Sequence, residues 1–238
     1  MIITKENMLK TSNIVVSNED LLYPIANLID PWLSVKYKSI LTLAAVYITE
    51  PLDIDVICFA GHNFDNTLVI EYYEDIDFTI KLGEENIAIE QTIIHELLLK
   101  NKYLKIIITN NNLIEIGYMK ASKIIEAVTL ADSSTISLQL FDNIDTSSLG
   151  QNNAQERISS ESISLSFWLN EMTYIEYLSL FKINRQIYPI FIWQYPAGTF
   201  YNNKLCVLFD NERIQAKRKI YGKNYAYYNF ETTFKEAK

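Results

Sequence analysis

The sequence predicts a mainly β protein in two halves, with one α-helix in the second half. The first observation behind this prediction is a series of short runs rich in Ile, Val, Tyr and Phe, separated by connectors with Asn, Asp, Glu and Pro. The second is a change of pattern near residue 122, beyond which strand-like runs alternate with a polar tract and a helical segment. We therefore expect two domains, 1–122 and 123–238.

The first half contains strand-like segments at close spacing. Residues 21–30 are irregular, because Pro24 and Pro31 exclude a long helix there. Residues 89–100 fit either a short helix or a strand, and their β-branched side chains favour a strand. Short strands at regular spacing are typical of a β-sandwich or jelly roll. The predicted strands are 13–17, 39–48, 53–61, 67–74, 77–83, 102–110 and 113–121.

The second half combines strands, a polar arm and one helix. A strand pair is predicted over 123–143, and the tract 146–160 is either a solvated loop or an arm that orders against a neighbour. Apolar residues recur at helical spacing over 171–184 and predict a helix with one buried face. We expect this domain to be a β-sandwich with one helix. The predicted buried face holds Met172, Ile175, Leu178 and Phe181, and further strands are predicted at 162–170, 188–196 and 204–210.

The charge balance is acidic and uneven along the chain. The 238 residues hold 21 Lys and Arg against 29 Asp and Glu, a net charge of −8. Residues 1–122 carry 9 basic and 17 acidic residues, residues 123–238 carry 12 of each, and 213–223 is locally basic. A general nucleic-acid binder needs clustered Lys and Arg, so we expect no nucleic-acid partner.

The residue types that carry most catalysis are scarce. No two of the six glycines lie within ten residues of each other, which excludes phosphate-binding glycine loops, and there are only two histidines. We expect no enzyme activity, cofactor or metal site. Cys58 and Cys206 lie in apolar runs and are predicted to be free buried thiols rather than disulfide or metal partners. No signal-peptide core or apolar run of ~20 residues occurs, so we expect no membrane insertion and synthesis in a reducing compartment.

Three stretches of the first half together resemble galactose-binding-like (discoidin-type) jelly rolls. They are 26–39, with a Trp followed by a basic and aromatic cluster, 50–75, where a strand ends in Gly-His-Asn, and 102–121, a strand, a polar turn and an Ile-Glu-Ile-Gly exit. Their order is similar to the version of this domain found in bacteriophage tail and baseplate proteins. By element order, the second half is similar to the β-sandwich-plus-helix module of tail-tube and distal tail proteins.

The resemblance implies a carbohydrate-binding surface formed by two loops at one end of the jelly roll. Aromatic rings stack on sugars and polar side chains bind their hydroxyls. In the alternative interpretation, Trp32 fills the bottom of the sandwich, Lys36 and Lys38 are solvated, and Asn27 or Asp30 only caps the turn. His62 and Asn63 then only hold a tight turn after Gly61. The candidate residues are Trp32, Tyr37, Lys38, His62 and Asn63.

A second candidate surface lies near the C-terminus, where tyrosines alternate beside basic residues. Tyrosine is favoured at protein interfaces, so we predict a subunit contact there, with simple packing or nucleic-acid stacking as alternatives. The candidate interface residues are Tyr221, Tyr225, Tyr227, Arg218 and Lys219.

These features predict a structural component of a bacteriophage tail tip or baseplate. It would be assembled in the host cytoplasm as a ring of identical copies, beside other tail proteins in the virion, and would aid contact with a host-surface glycan. A carbohydrate-binding adhesion module is the alternative. A third hypothesis, a glycan hydrolase, rests only on surplus carboxylates such as Glu71 and Asp75.

Overall fold

A computed structural model describes most of the chain and divides it into two compact units. The first unit comprises Met1–Glu126 and Ile187–Cys206, and the second comprises Ala127–Gln186 and Val207–Ala237. The segment Ile187–Cys206 therefore returns to the first unit, a feature that the division at 122 did not include. The described residues are 2–126, 128–129, 135–139, 142–146, 152–156, 160–184, 188–193, 204–210, 215–221 and 225–237.

The described residues form a mainly β structure with one α-helix, as the sequence predicted. The first strands are β1 Ile2–Thr4, β2 Ile14–Val16, β3 Tyr37–Lys38, β4 Leu43–Ile48, β5 Val56–Ala60, β6 Thr67–Tyr73, β7 Lys81–Asn86, β8 Ile93–Glu96, β9 Tyr103–Thr109, β10 Glu115–Ile116, β11 Tyr118–Ser122 and β12 Ile124–Glu126. They are followed by β13 Val128–Thr129, β14 Thr135–Gln139, β15 Asp142–Thr146, β16 Asn152–Glu156, β17 Ser160–Asn170, α1 Glu171–Asn184, β18 Ile190–Trp193, β19 Lys204–Phe209, β20 Gln215–Tyr221 and β21 Tyr225–Glu236.

The first unit is a β-sandwich of antiparallel strands. One sheet has the order β2-β4-β9-β6-β7 and the other the order β11-β5-β8. Burial alternates along β9, where Leu104, Ile106 and Ile108 point inward, which is the period-2 pattern of a strand with one covered face. β5 is buried along its whole length. The apolar side chains of the two sheets form one continuous core.

Two short groups of strands complete this unit. β3 pairs with β10, and β1 pairs with both β12 and β18 in antiparallel register. Residues 89–100 contain β8, which decides between the helix and the strand in favour of the strand.

The predicted strand 77–83 is wrong in its position, because β7 begins only at Lys81. The reason is Asp75, whose carboxylate accepts hydrogen bonds from the backbone N–H groups of Thr79 and Ile80 at 2.7–3.2 Å. These bonds hold 75–80 in a turn, and Phe78 within it adopts a positive φ of 55°. An apolar, β-rich segment therefore becomes a hairpin connection.

The second unit is an antiparallel sheet with α1 packed on it. β17 pairs with β21 from Ser162 to Asn170, and β13 and β14 pair with β17 on its other side. β20 pairs with the first half of β21. β15 and β16 form a separate hairpin, so the part of the predicted polar arm that the structure describes is a strand pair. A second sheet that would complete a sandwich does not occur among the described residues of this unit.

The helix covers the predicted residues, but its buried face is shifted from the predicted one. Tyr177, Leu180 and Asn184 are buried. Of the predicted residues, Met172 and Ile175 are 78% and 59% exposed, so the prediction is wrong for them. Leu178 and Phe181 are half-buried, and the Phe181 ring packs edge-on against Phe209 at 5.2 Å.

The sheet on which the helix packs explains which of its side chains are buried. It presents Phe209 and Thr232, and Tyr177 packs edge-on against Phe209 and shares a 2.9 Å hydrogen bond with the Thr232 hydroxyl. The predicted helical period is right, but more than one face of the helix carries apolar residues at this period. Tertiary packing decides which face is buried.

Candidate functional site

One end of the first unit gathers the loops that connect its strands. The register places the last residue of β9 opposite the first residues of β4 and β6, and it places the end of β5 opposite the start of β11. The loops that leave these strand ends therefore lie together, and we call this region the loop end. It comprises residues 18–23, 30–43, 61–66 and 110–117.

Backbone hydrogen bonds connect the segments of the loop end. The Asp20 N–H donates to the Lys38 carbonyl at 3.1 Å, which connects residues 18–23 to residues 30–43. The Ser39 N–H donates to the Ile114 carbonyl at 3.0 Å, which connects residues 30–43 to residues 110–117. Residues 61–66 bind 110–117 through Gly117 N to Gly61 O at 3.1 Å. The loop end is therefore one hydrogen-bonded structure rather than a set of independent loops.

Two glycines allow the backbones to approach each other at this end. Gly61 has a positive φ of 64°, a conformation that costs glycine little. A Cβ at Gly117 would lie 2.9 Å from the Leu33 carbonyl oxygen and 3.2 Å from that of Ala60. Both positions therefore need glycine, and they bring the Trp32 loop against the Gly61-His62-Asn63 turn. The resemblance had implied that these two loops lie at the same end.

Glu115 is the charged centre of the loop end. Its carboxylate pairs with Lys38 Nζ at 2.8 Å and with Lys36 Nζ at 2.9 Å, and these hydrogen bonds lower the pKa of Glu115. The Lys38 ammonium also lies 4.5 Å from the centre of the Tyr23 ring. Both lysines thus pair with a carboxylate, while 39% of the Lys36 side chain and 30% of the Lys38 side chain remain exposed.

Large apolar side chains project into solvent from the same loops. Trp32 is 63% exposed and Leu21 is 90% exposed, so neither contributes to the core of the sandwich. Trp32 follows Asp30, whose carboxylate accepts the Trp32 backbone N–H at 2.9 Å and fixes the turn. The exposed set, which we call the loop-end patch, consists of Leu21, Leu22, Tyr23, Trp32, Val35, Ile40, Leu41, Leu43 and Leu113.

The structure separates the five predicted carbohydrate-binding residues into different environments. Trp32 is exposed, which contradicts the alternative in which it fills the bottom of the sandwich. Tyr37 is fully buried, its hydroxyl donates to the Ser17 carbonyl at 3.3 Å, and burial raises its pKa to about 12. β3 directs the Tyr37 side chain into the core, so its ring has no exposed face on which a sugar could stack. The prediction of Tyr37 as a binding residue is therefore corrected. Lys38 is half-buried and engaged by Glu115.

Asn63 and His62 act within the turn that holds them. Asn63 Nδ2 donates to the Leu113 carbonyl at 2.7 Å, and its Oδ1 accepts the backbone N–H of Glu115 at 2.8 Å. His62 stacks on Phe64 with ring centres 4.2 Å apart, and its Nδ1 accepts the Phe64 N–H at 3.2 Å. The Asn63 amide therefore serves the loop structure, as the tight-turn interpretation expected.

The ring of His62 remains neutral at ordinary pH. Burial lowers its pKa to about 4, although the nearby Glu90 backbone favours the charged ring. Because Nδ1 accepts the Phe64 N–H, the ring proton sits on Nε2. Sequence reasoning found the position of this histidine but not its burial.

The predicted C-terminal interface residues lie on the β20–β21 hairpin. Lys219 is opposite Tyr227 and Tyr221 is opposite Tyr225, with Arg218 opposite Tyr228. The Arg218 side chain is exposed, while the side chains of Lys219, Tyr221, Tyr225 and Tyr227 lie outside what the structure describes. The interface assignment stays a prediction.

The carboxylates of the hydrolase hypothesis are engaged in local structure. Glu71 pairs with Lys81 at 2.6 Å and accepts the Tyr73 hydroxyl at 2.9 Å, and although burial opposes it, this pairing lowers the pKa of Glu71. Asp75 holds the turn before β7. Over the described part of the chain, no group of three or more His, Cys, Asp or Glu side chains could hold a metal ion.

A buried lysine in the first unit was not predicted. Lys120 on β11 is fully buried opposite Cys58 on β5, and its ammonium donates to the Pro189 carbonyl at 3.2 Å. Desolvation lowers the pKa of Lys120 to about 8. Cys58 and Cys206 are both buried thiols that are not joined in a disulfide, and their burial is as predicted. The strand pattern could have placed Lys120 on an inward face, but alternation alone does not identify a lysine as buried.

Comparison with known proteins does not assign a family. No protein-family model matches the sequence, and a search of curated proteins gives no match. No helix in the described residues is long and apolar enough to cross a membrane. The fold thus defines a mainly β protein whose first unit is a sandwich with an apolar loop end, and function has to be argued from that surface.

Proposed function

We propose that the chain is a structural component of a bacteriophage tail tip or baseplate, which assembles with further copies and with other tail proteins through the loop-end patch. The single observation that carries the proposal is the patch itself. Monomeric proteins rarely expose contiguous apolar areas above a few hundred Å², and larger exposed areas mark interaction sites. Nine large apolar side chains on a hydrogen-bonded loop structure fit such a site.

The number of exposed apolar side chains and the hydrogen bonds between their loops support a protein partner. A stable protein interface buries on the order of 800 Å² per partner, which requires several large side chains over a continuous area. The loop-end patch offers one indole, one phenol and seven aliphatic side chains. Since the loops are hydrogen-bonded to each other, little conformational freedom is lost on binding, and apolar burial translates efficiently into affinity.

The assignment to a phage tail rests on resemblance. The loop end is built largely from the stretches 26–39 and 102–121 and from the Gly61-His62-Asn63 turn, which resemble the galactose-binding-like jelly rolls of tail and baseplate proteins. Within this proposal the first unit is that jelly roll and the second is a tail-type module. The chain is assembled in the host cytoplasm and resides in the virion.

Sedimentation of the full chain tests assembly through the patch. We expect wild type to form oligomers at micromolar concentration and Leu21→Ser/Trp32→Ser to remain monomeric. Leu98→Ser is the matched control, because Leu98 is 75% exposed but lies outside the loop end. A wild type that stays monomeric, or a double variant that assembles like wild type, would overturn assembly through this patch.

Electron microscopy tests the location. Antibodies raised against the purified chain should label the tail tips of phage particles released from the source strain. Labelling of no tail structure, with the chain recovered only outside particles, would overturn the assignment to the tail.

A carbohydrate-binding adhesion module is the second candidate, and the exposure of Trp32 beside the Lys36–Glu115–Lys38 cluster favours it. An indole face next to polar groups suits a sugar ring. A glycan array with wild type and Trp32→Ala tests this function. Binding that is lost in the variant supports it, and a blank array for wild type removes it.

A further inference from the structure

The turn between β6 and β7 places the Phe78 ring among three tyrosines on the outer face of the five-stranded sheet. The Phe78 ring centre lies 5.0 Å from that of Tyr47 and 5.3 Å from that of Tyr73. It lies 6.3 Å from the ring centre of Tyr103, and all three pairs meet nearly edge-on, at 71–78°. We call Tyr47, Tyr73 and Tyr103 the tyrosine box. Tyr73 is buried, while the other two tyrosines and Phe78 remain partly exposed.

Phe78 reaches the tyrosine box from a strained backbone. Its φ of 55° lies in the left-handed region, which bulky aromatic residues rarely adopt. The two other non-glycine residues with a positive φ in the described part of the chain are Asn18 and Asn101, and asparagine tolerates this conformation. Such strain persists where surrounding contacts enforce it, and it is concentrated at ligand clamps and switch segments. The enforcing contacts here are the hydrogen bonds of Asp75 and the ring contacts with the tyrosine box, so a different ring in the box would let the turn relax.

The sheet around the tyrosine box carries an excess of lysine, whereas the turn that covers it is acidic. Lys105 Nζ lies 5.9 Å from the centre of the Tyr47 ring and 3.4 Å from Glu71 Oε2. The charged side chains of the sheet and its strand ends at this site are Lys81, Lys102, Lys105, Glu71 and Glu84. The turn contributes the carboxylates of Glu74, Asp75 and Asp77. Glu74 pairs with Lys102 at 2.6 Å, so the turn and the sheet are complementary in charge as well as in shape.

We infer that the tyrosine box binds an aromatic side chain within an acidic segment of another protein, and that the turn 74–80 occupies the box as an internal substitute for that segment. The turn itself shows the chemistry that fits, because it places an aromatic ring edge-on to three tyrosines and a carboxylate beside a lysine. Edge-on aromatic pairs gain more than the apolar area they bury. A partner segment supplies the same groups without the strained φ, whereas the turn has the advantage of being tethered to the site.

This inference goes beyond the proposed function and uses the other end of the sheet. Tyr103 is the first residue of β9, and Thr109, which pairs with Leu43 and Thr67 at the loop end, is the last. At about 3.4 Å per residue, the two ends of this strand lie about 20 Å apart. The tyrosine box and the loop-end patch are therefore separate surfaces, and either proposal can fail without the other.

A peptide copy of the turn tests the inference on the full chain. The probe is the fluorescein-labelled peptide Glu-Asp-Ile-Asp-Phe-Thr-Ile, the sequence of residues 74–80, and fluorescence anisotropy measures its binding. Phe78→Gly removes the internal ring and suits the positive φ. Asp75→Ala releases the turn and keeps the ring. Ile80→Gly is the matched control, because Ile80 is 56% exposed in the same turn and glycine keeps the backbone N–H that Asp75 accepts.

We expect wild type to bind the peptide and Phe78→Gly to bind it at least about tenfold more tightly, because no tethered ring then competes for the box. Asp75→Ala should lie between them, and Ile80→Gly should match wild type. Replacing Phe by Ala in the peptide, or adding Tyr103→Ala to Phe78→Gly, should abolish binding. Circular dichroism and thermal unfolding check the fold of each variant, and Asp75→Ala decides the comparison if Phe78→Gly is unfolded.

Hydrogen exchange of the wild type distinguishes displacement of Phe78 from the filling of a hole in a variant. Saturating peptide should speed the exchange of the backbone amides of 78–80, because their hydrogen bonds to Asp75 open when the Phe78 ring leaves the box. If Phe78 only packed on the sheet, the peptide would leave this exchange unchanged.

Several results would overturn the inference. They are a wild type that does not bind the peptide, unchanged exchange of 78–80, and binding that survives loss of the peptide's Phe or of Tyr103. Binding of a glycan array but not of the peptide by Phe78→Gly would assign the box to a different class of ligand. Leu21→Ser/Trp32→Ser should bind the peptide like wild type, and a loss of binding there would place the peptide site at the loop end instead.

Discussion

Single residues decide how rigid the loop end is, and Asn110 is the clearest case. Its side chain is buried, its Oδ1 accepts the Asp65 N–H at 2.9 Å and its Nδ2 donates to the Asn63 carbonyl at 2.9 Å. The Asn-rich turn at 110–112 is visible in the sequence, but which asparagine turns inward is not. That choice depends on the neighbouring loop, which reaches Asn110 only in the folded unit.

Asn110→Ala should destabilise the protein by about 2 kcal/mol, because it leaves two backbone groups without their partners. Asn112→Ala is the matched control, since Asn112 is exposed in the same turn and should change stability by less than about 0.5 kcal/mol. Urea unfolding measures both. Equal effects of the two substitutions would contradict the assigned network.

His62 should make stability depend on pH in the acidic range. Its pKa is lowered from 6.5 to about 4 in the folded protein, so between these values the unfolded chain binds a proton that the folded one does not. The contribution of the neutral His62 ring to the free energy of unfolding is therefore fully present above about pH 6.5. It is lost as the pH drops towards 4, by about 2 kcal/mol after allowing for the partial exposure of the ring. Urea unfolding of wild type and His62→Gln at several pH values isolates this contribution. An identical pH dependence in both proteins would refute it.

At the scale of elements, the sequence predicts strands well where burial alternates or is complete. β5, β6 and β9 fall within predicted segments because their patterns reflect a sandwich core. The pattern fails at β7, where the carboxylate of Asp75 holds a turn, and at α1, where two stripes share one period. The error at β7 arises from local hydrogen bonds of a side chain, and the error at α1 arises from the shape of the surface on which the helix packs. The spacing of apolar residues in the sequence carries no information on either.

The two faces of α1 should respond differently to truncation. Leu180→Ala removes a buried side chain and should cost about 2–4 kcal/mol. Ile175→Ala acts on an exposed position where alanine is the better helix former, so stability should change by less than about 0.5 kcal/mol or rise slightly. Thermal or urea unfolding compares the pair. A larger loss from Ile175→Ala would restore the burial pattern that the sequence had predicted.

The approach of the strands at the loop end depends on Gly117, the glycine of the Ile-Glu-Ile-Gly exit, although the sequence does not show what its Cα lies against. Gly117→Ala should cost about 1–3 kcal/mol, because its Cβ meets the Leu33 and Ala60 carbonyl oxygens and the backbone has to move. Gly83→Ala on β7 meets nothing within 4 Å and should be neutral or stabilising by up to about 1 kcal/mol. Unfolding curves of both variants test the difference. A neutral Gly117→Ala would show that the two loops are not held in contact.

For the whole molecule, charge and apolar surface act on assembly in opposite directions. Each copy carries a net charge of −8, and lysines of the first unit such as Lys36, Lys38 and Lys81 are already paired with its own carboxylates. In the proposed assembly, copies therefore repel each other through their net charge, while the loop-end patch favours their contact through apolar burial. The acidic balance could be read from the sequence. The exposure of Met172 could not, because the helical spacing had placed it on the predicted buried face.

Raising the salt concentration should therefore strengthen assembly. Screening shortens the range of the repulsion from about 10 Å at 0.1 M to about 3 Å at 1 M salt and leaves apolar burial intact. We expect the average mass of wild type, measured by light scattering at fixed protein concentration, to rise between these conditions. Contacts between the basic segment 213–223 and an acidic neighbour would weaken instead, so dissociation by salt would show that paired charges, and not the apolar loop-end patch, hold the copies together.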